Sequence, residues 1–320
     1  MSGGDAPTIR VGISSCLLGR EVRFDGGHKR DAYIVGTLGD WFEFVPVCPE
    51  YEAGLGLPRP PIRLVGEIDR PRVVGVREPG LDVTDALEAH AAERVGTLDG
   101  LSGYILKKDS PSCGMERVKV YPEAGGAGVR KGVGVFARAL MARWPLLPVE
   151  EEGRLGDPVL RENFIQRVFV LHRWQCLEAA GLTKAGLIDF HAAHKLVLMA
   201  HHQAEAKRLG RLVANLDGRR LRAQAAEYIA AVMAILARRA SRARHVNVLQ
   251  HLAGYLKRSI DAEDKAELGG VIAAYGRGEV PLVVPLTLLK HHFRRHPDPY
   301  VARQHYLEPH PRELMLRNVL

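Results

Sequence analysis

Short apolar runs closed by Gly, Pro or polar turns alternate with helix-period segments through the first half of the chain. Residues 9–14, 42–47, 72–76 and 101–106 read as strands on this pattern. Between the last two, residues 84–98 place Ala86, Leu87, His90, Ala91 and Val95 at helical spacing, with Thr84 as the expected N-cap. Residues 133–144 read as a further helix, stopped by Pro145. Strands alternating with helices predict an α/β N-terminal domain with a largely parallel sheet. Residues 150–158 are charged, hold Gly153 and Gly156, and end on Pro158, so they read as a boundary between domains at 1–150 and 151–320. Beyond it the period changes. Residues 160–179, 190–209, 221–238, 246–257 and 262–275 carry apolar positions every three to four residues, which predicts an all-α C-terminal domain.

Composition fits this division. The 320 residues are 46% hydrophobic and 26% charged, enough apolar material for two cores. No apolar run approaches the ~20 residues of a membrane-spanning helix. Residues 1–10 are polar and short, unlike a secretory leader, so a cytoplasmic setting with reduced thiols is expected. The formal charge of +8 is unevenly shared: residues 151–320 hold 26 Lys and Arg against 17 Asp and Glu, and residues 1–150 hold 19 against 20. Residues 207–258 carry 12 basic side chains against Asp217 and Glu227 alone. Such a run is either a solvated helix face or a field that attracts a polyanion, of which nucleic acid is the commonest in the cytoplasm. Arg238, Arg239, Arg242 and Arg244 are its densest cluster and are candidate phosphate contacts, together with Lys195.

Three of the four cysteines change the picture more than the charge does. Cys16, Cys48 and Cys113 each sit in a short polar turn after a strand-like run. Open α/β sheets gather ligands at the carboxyl ends of their strands. Three soft ligands on separate loops suit a metal or iron–sulfur centre that keeps one coordination position open, as catalysis needs. Three buried free thiols are the plainer reading. The polar neighbours Ser14, Ser15, Asp25, Glu50, Ser110 and Ser112 weigh against that plainer reading, because an apolar core disfavours them. Cys176, on a helical segment, reads as a core thiol. His191, His194 and His201 share one helix face, where they could bind a metal, hydrogen-bond between helices or face an RNA.

The cysteine segments resemble the thiouracil desulfidase family. The similarity lies in the run from Ile13 to Gly19 with Val22 to Gly26, in Cys48-Pro49-Glu50 followed by residues 54–61, and in residues 106–114. In the second half, residues 190–201, 245–251 and 281–292 resemble the helical domain of YbgA-like proteins. A chain joining both is similar to fused desulfidases that act on 4-thiouridine in transfer RNA. The resemblance implies a [4Fe-4S] cluster on Cys16, Cys48 and Cys113 with one open iron, and a catalytic part for Glu50 and Ser110. Ser14, Asp25, Lys107 and Ser112 are the candidates to bind substrate, with Asp25 also the alternative base. Exchange of C=S for C=O is hydrolytic and needs no external reductant. Two other functions stay open at this point: a desulfidase of free thiouracil or its nucleotides, and a non-catalytic metal-containing module that binds RNA.

Overall fold

In the computed structural model, which describes residues 8–78, 80–314 and 316–318, the first apolar run is an inner strand of a parallel sheet. Among the described residues eight strands follow one another: β1 (Arg10–Ser14), β2 (Glu43–Val47), β3 (Ile62–Val65), β4 (Arg72–Gly75), β5 (Gly103–Leu106), β6 (Val118–Tyr121), β7 (Val129–Gly132) and β8 (Val149–Glu151). One sheet has the order β2-β1-β5-β8 and is parallel throughout. A second has the order β4-β3-β6-β7, with β3 parallel to β6 and both outer pairs antiparallel. Residues 72–76 therefore do not join the parallel sheet as the alternation suggested; β4 hydrogen-bonds along β3 instead. Strands β3, β6, β7 and β8 span three or four residues each, too short for a period of two to declare itself.

Strand β8 occupies the segment that reads as a linker. Glu150 and Glu151 are only 5% and 6% exposed, because each carboxylate has a partner. Glu150 accepts from Arg154 Nε at 2.5 Å, and Glu151 accepts from the Met115 amide at 2.8 Å. Contacts within the chain divide it at the next step, into Met1–Asp157 and Pro158–Leu320.

The first unit carries helices α1 (Ala32–Gly36), α2 (Pro49–Glu52), α3 (Thr84–Gly96) and α4 (Val135–Arg143). Thr84 is the first helical residue of α3 rather than its cap. Its amide is taken by Asp82 Oδ1 at 2.9 Å, and its hydroxyl accepts from the Val73 amide at 2.8 Å. The N-terminus of α4 rests on the turn that carries Cys113. Amides that a helix leaves without internal partners find them there: Gly134 donates to Gly114 O at 2.8 Å, Val135 to Pro111 O at 3.1 Å and Ala137 to Ser112 O at 3.2 Å.

The second unit is helical: α5 (Pro158–Ala179), α6 (Lys184–His201), α7 (Gln203–Ala214), α8 (Leu221–Leu236), α9 (Arg242–Tyr255), α10 (Ala262–Arg277), α11 (Val283–Arg295) and α12 (Pro299–Ala302). Trp174 packs edge-on against Phe190 at 5.3 Å between centroids and tilts against Tyr228 at 5.9 Å, with Trp174 and Tyr228 at most 2% exposed. The apolar period over 190–209 predicts one helix, but the chain turns at His202. Its backbone is extended (φ −160°, ψ 99°), and its ring Nδ1 accepts from the Glu205 amide at 3.3 Å, which caps α7. Among the described residues no helix is long and apolar enough to cross a membrane.

The seat of α4 is testable. A Cβ on Gly134 would lie 2.4 Å from Ser112 O, whereas one on Gly96 meets nothing within 4 Å. Gly134→Ala is expected to destabilise the first unit by about 1–3 kcal/mol, an overpacking cost. Gly96→Ala at the end of α3 should be neutral or stabilising by about 0.4–1 kcal/mol. Urea unfolding of the two variants beside the parent checks both; equal midpoints for all three would mean the turn yields freely.

Candidate functional site

Three adjacent strands end at the same place. Cys16 lies in the 3₁₀ turn Ser15–Leu18 that follows β1, Cys48 is the N-cap of α2 directly after β2, and Cys113 lies in the turn that follows β5. Because β1 pairs with β2 on one side and β5 on the other, the three loops diverge from a switch point of the sheet. They border a cavity of about 360 Å³, whose wall also includes Ser14, Glu50, Arg59, Lys107 and Ser110.

The thiols are held in their neutral form. Burial, and then the neighbouring Cys48, push the Cys16 pKa up to about 11. Burial raises Cys48 and, still more, Cys113, with Glu50 adding to both. Cys48 raises Cys16, and Cys48 and Cys16 together raise Cys113, so the three share one electrostatic environment. A positive centre between them would reverse that effect, since metal binding draws off thiol protons. Soft donors, mutual proximity and a cavity at their centre fit a thiophilic group. Among the described residues no three His, Cys, Asp or Glu side chains close on a point where a single ion could take all of them.

Glu50 shares this wall with Asp109, and both of its carboxylate oxygens have partners. Its Oε2 accepts from Arg59 Nη2 at 2.7 Å and Nε at 3.1 Å. Its Oε1 accepts from the Ser112 hydroxyl at 2.9 Å and, more loosely, from Ser110 at 3.5 Å. Arg59 in turn donates to Gly56 O and Val22 O, so its guanidinium is fixed from three sides and its side chain is 3% exposed. Sequence reasoning passed over Arg59. The available signal was an Arg between Pro58, Pro60 and Pro61, a rigid turn where a flexible surface cation has little purpose.

The candidate substrate residues separate into groups. Ser110 lies on the cavity wall, and its Oγ accepts from the Ser112 and Cys113 amides at 3.2 and 3.1 Å. Ser14 lies on the wall too, where its Oγ accepts from the Lys107 amide at 2.9 Å and bonds Cys113. Lys107 turns its ammonium to Glu152 at 2.5 Å, a carboxylate that reading residues 150–158 as a linker had missed. Ser112 is fully buried outside the cavity wall, so it orients Glu50 rather than touching a ligand. Asp25 does not reach the cavity. It is exposed on its own turn, held by the Gly27 amide at 3.1 Å and Arg23 at 3.4 Å, contacts that keep its carboxyl below the usual range.

In the helical unit the three histidines face inward. His191 Nδ1 lies 3.2 Å from Tyr228 Oη, His194 Nδ1 2.8 Å from Phe190 O, and His201 bridges Arg238 O at 2.5 Å and Gln166 at 2.7 Å. Burial holds all three below the usual imidazole range, His191 and His201 at about 4. They hydrogen-bond within the fold, and none is on a surface that an RNA could reach. Cys176 sits on α5 with its Sγ 3.6 Å from His172 Nε2.

The basic cluster also divides. Lys195, Arg238 and Arg239 are exposed. Arg242 donates to Tyr275 O at 2.9 Å near the end of α10, and Arg244 to His201 O at 2.5 Å at the end of α6. Cations at helix C-termini satisfy carbonyls that the helix leaves open, so Arg242 and Arg244 hold the bundle together. Of the 12 basic residues in 207–258, only these two and Arg208, which pairs with Glu205 and Glu227, are half-buried.

Comparison with known proteins follows the same two-part division. The family described as 2-thiouracil desulfurase matches residues 11–152, and the family described as "Protein of unknown function (DUF1722)" matches residues 195–311. Uncharacterized protein YbgA of Escherichia coli (strain K12) is 37% identical over 158 residues, 49% of this chain and 94% of its own length. Uncharacterized protein YbbK of Bacillus subtilis (strain 168) is 35% identical over 108 residues, 32% of this chain and 71% of its own. A solved chain described as the [4Fe-4S]-dependent thiouracil desulfidase TudS is 30% identical, covers 47% of this chain and 95% of itself, and superposes with a TM-score of 0.38. The chain thus belongs to the 2-thiouracil desulfurase family through residues 11–152 and to the YbgA-like DUF1722 family through residues 195–311.

Proposed function

We propose that the first unit removes sulfur from a thiolated uracil by hydrolysis, that it does so with a [4Fe-4S] cluster held by Cys16, Cys48 and Cys113, and that the substrate is 4-thiouridine in transfer RNA. The observation that carries the reading is Glu50, a carboxylate fixed by Arg59 on the wall of a cavity that all three cysteines border. The family match over residues 11–152 supports the reaction class. Three thiols on separate loops bordering one cavity supply the soft donors that an iron–sulfur centre takes.

When bound, a cluster with one iron free of cysteine supplies a soft Lewis acid for a thiocarbonyl sulfur. The chain supplies the proton chemistry. Glu50 is placed to take a proton from a water in the cavity, because Arg59 and Ser112 fix its plane. Ser110 has its hydroxyl oxygen occupied by two amides and its proton only loosely on Glu50 at 3.5 Å, so that proton can turn to the water or the uracil edge. The water oxygen forms the new bond to the ring carbon, the carbon–sulfur bond breaks, and the sulfur departs as sulfide with the two water protons. No electron is transferred.

Transfer RNA as the substrate rests on the charge of the second unit. Nine of the 12 basic residues in 207–258 remain exposed after Arg208, Arg242 and Arg244 are set aside, and Lys195 adds to them. A free thiouracil gives no reason for such a field; a phosphate backbone does.

Three outcomes follow. Cys16→Ala, Cys48→Ala and Cys113→Ala should each lose bound iron and the visible absorbance of the anaerobically purified protein, while Cys176→Ala keeps both. A full iron content in Cys113→Ala would remove that ligand. Glu50→Gln should keep the iron and lower turnover on thiolated uridine by about 10²-fold or more, and near-parental rates would place the base elsewhere. Finally, the variant Arg219→Ala/Arg220→Ala/Arg238→Ala/Arg239→Ala should bind transfer RNA less tightly and with a flatter dependence on salt. Its rate on a thiolated mononucleotide should be unchanged. Unaltered RNA binding would make the basic face solvated surface and leave the free nucleotide as substrate.

A further inference from the structure

The outer face of the second sheet carries a row of positive charge that the cysteine-lined cavity does not explain. Sheet β4-β3-β6-β7 buries Val73, Leu64, Val118 and Val120 on its inner side. Alternate residues therefore point outward. Lys119 lies between Val118 and Val120 and is exposed; Arg63 precedes Leu64 and is half-buried. Lys119 stands opposite Arg130 in the β6–β7 ladder, and Arg63 stands beside Lys119, one step before the Leu64–Val120 partners. Three cations thus occupy one cross-strand row on β3, β6 and β7, over two strand intervals of about 4.8 Å each.

Like charges set directly opposite one another destabilise a sheet. The row of Val65 and Arg72 shows the usual remedy, since Arg72 pairs there with Asp82. On the cation row Arg130 has a carboxylate, Asp109 at 2.8 Å. Neither Lys119 nor Arg63 pairs with one among the described residues. The Arg63 Cζ lies 5.0 Å from the centroid of the Tyr121 ring, so an aromatic face rather than an acid supports this guanidinium. Glu123, the next acid on the hairpin, lies against Gly66 beyond the end of β3.

The row adjoins the cysteine-lined cavity. Pro61 and Ile62, directly before Arg63, border that cavity, and so does Asp109, the carboxylate that holds Arg130. A lone phosphate is answered by one guanidinium fork. Cations spread over three strands fit an anion that repeats along a chain, as the phosphates of a nucleic acid do.

We propose that this sheet face binds the RNA backbone beside the reacting residue, with phosphates on Arg63, Lys119 and Arg130. The choice of RNA rests on the desulfidase reading, because an RNA substrate is what puts a chain of phosphates next to the uracil. The first unit then contributes to RNA affinity in its own right, apart from the basic residues of the second.

Lys119→Glu in the full chain tests it, because folding and binding depend on this charge in opposite senses. Opposite charges across a ladder stabilise it, so the variant should unfold at a higher urea concentration than the parent. Its affinity for unmodified transfer RNA should nevertheless fall by about tenfold, with a salt slope smaller by about 1 or more, as for a lost phosphate contact. Lys119→Arg should keep the parental affinity. On thiolated transfer RNA, Lys119→Glu should raise KM by about tenfold and leave kcat unchanged, the mark of lost uniform binding. Its rate on a thiolated mononucleotide, too short to reach the row, should stay parental. RNA affinity and salt slope unmoved in both Lys119→Glu and Arg63→Gln would overturn the proposal and leave the face to an acidic protein. Failure of the parent to release sulfide from either substrate would instead overturn the desulfidase reading, and binding of unmodified transfer RNA decides the sheet face separately.

Discussion

A carboxylate set among three thiols needs a fixed counter-charge, and the Arg59–Glu50 pair provides it. The pair is nearly dry, with side chains 3% and 14% exposed. Taking two charges out of water is expensive, and such a pair persists only where further hydrogen bonds complete both groups. Here Ser112 and Ser110 complete the carboxylate, and Gly56 O and Val22 O complete the guanidinium. Removing one partner of a buried pair of this kind costs about 3–5 kcal/mol, because the other is left uncompensated. The loops that carry Cys48 and Cys113 are thereby tied across the cavity by hydrogen bonds rather than by apolar packing.

The parallel sheet decides why those loops meet. The adjacent strands β2, β1 and β5 run the same way, so their exits lie on one edge. The turn after β5 is then held down by α4, whose open amides bind the carbonyls of Pro111 and Ser112. That contact places the cysteine turn and the serine that orients Glu50 with one set of bonds. The site is rigid because secondary structure on two sides shares its polar groups with it.

The helical unit shows how charge and histidine patterns mislead when read along a line. His191, His194 and His201 share a helix face, as their spacing requires, yet that face is the core. Arg242 and Arg244 belong to the densest basic run, yet both reach back to carbonyls at helix ends. Spacing fixes which side chains stand together on an element. Which side of the element meets solvent depends on what packs against it, and that information is distributed over distant segments.

From its sequence alone the chain determined the α/β order of the first half, the helical second half, the three cysteines after strands, and Glu50 beside one of them. These are local matters: hydrophobic period, turn chemistry and short motifs act within a few residues. Arg59, Glu152 and the burial of Ser112 were settled only in three dimensions, as was the exclusion of Asp25 from the cavity. The hydrogen bonds that decide these roles span 9 residues from Arg59 to Glu50, 45 from Lys107 to Glu152 and 62 from Ser112 to Glu50. No periodicity reaches that far. A polar side chain becomes a support, a ligand or a solvated group only when the fold decides which partners surround it and how much water they exclude.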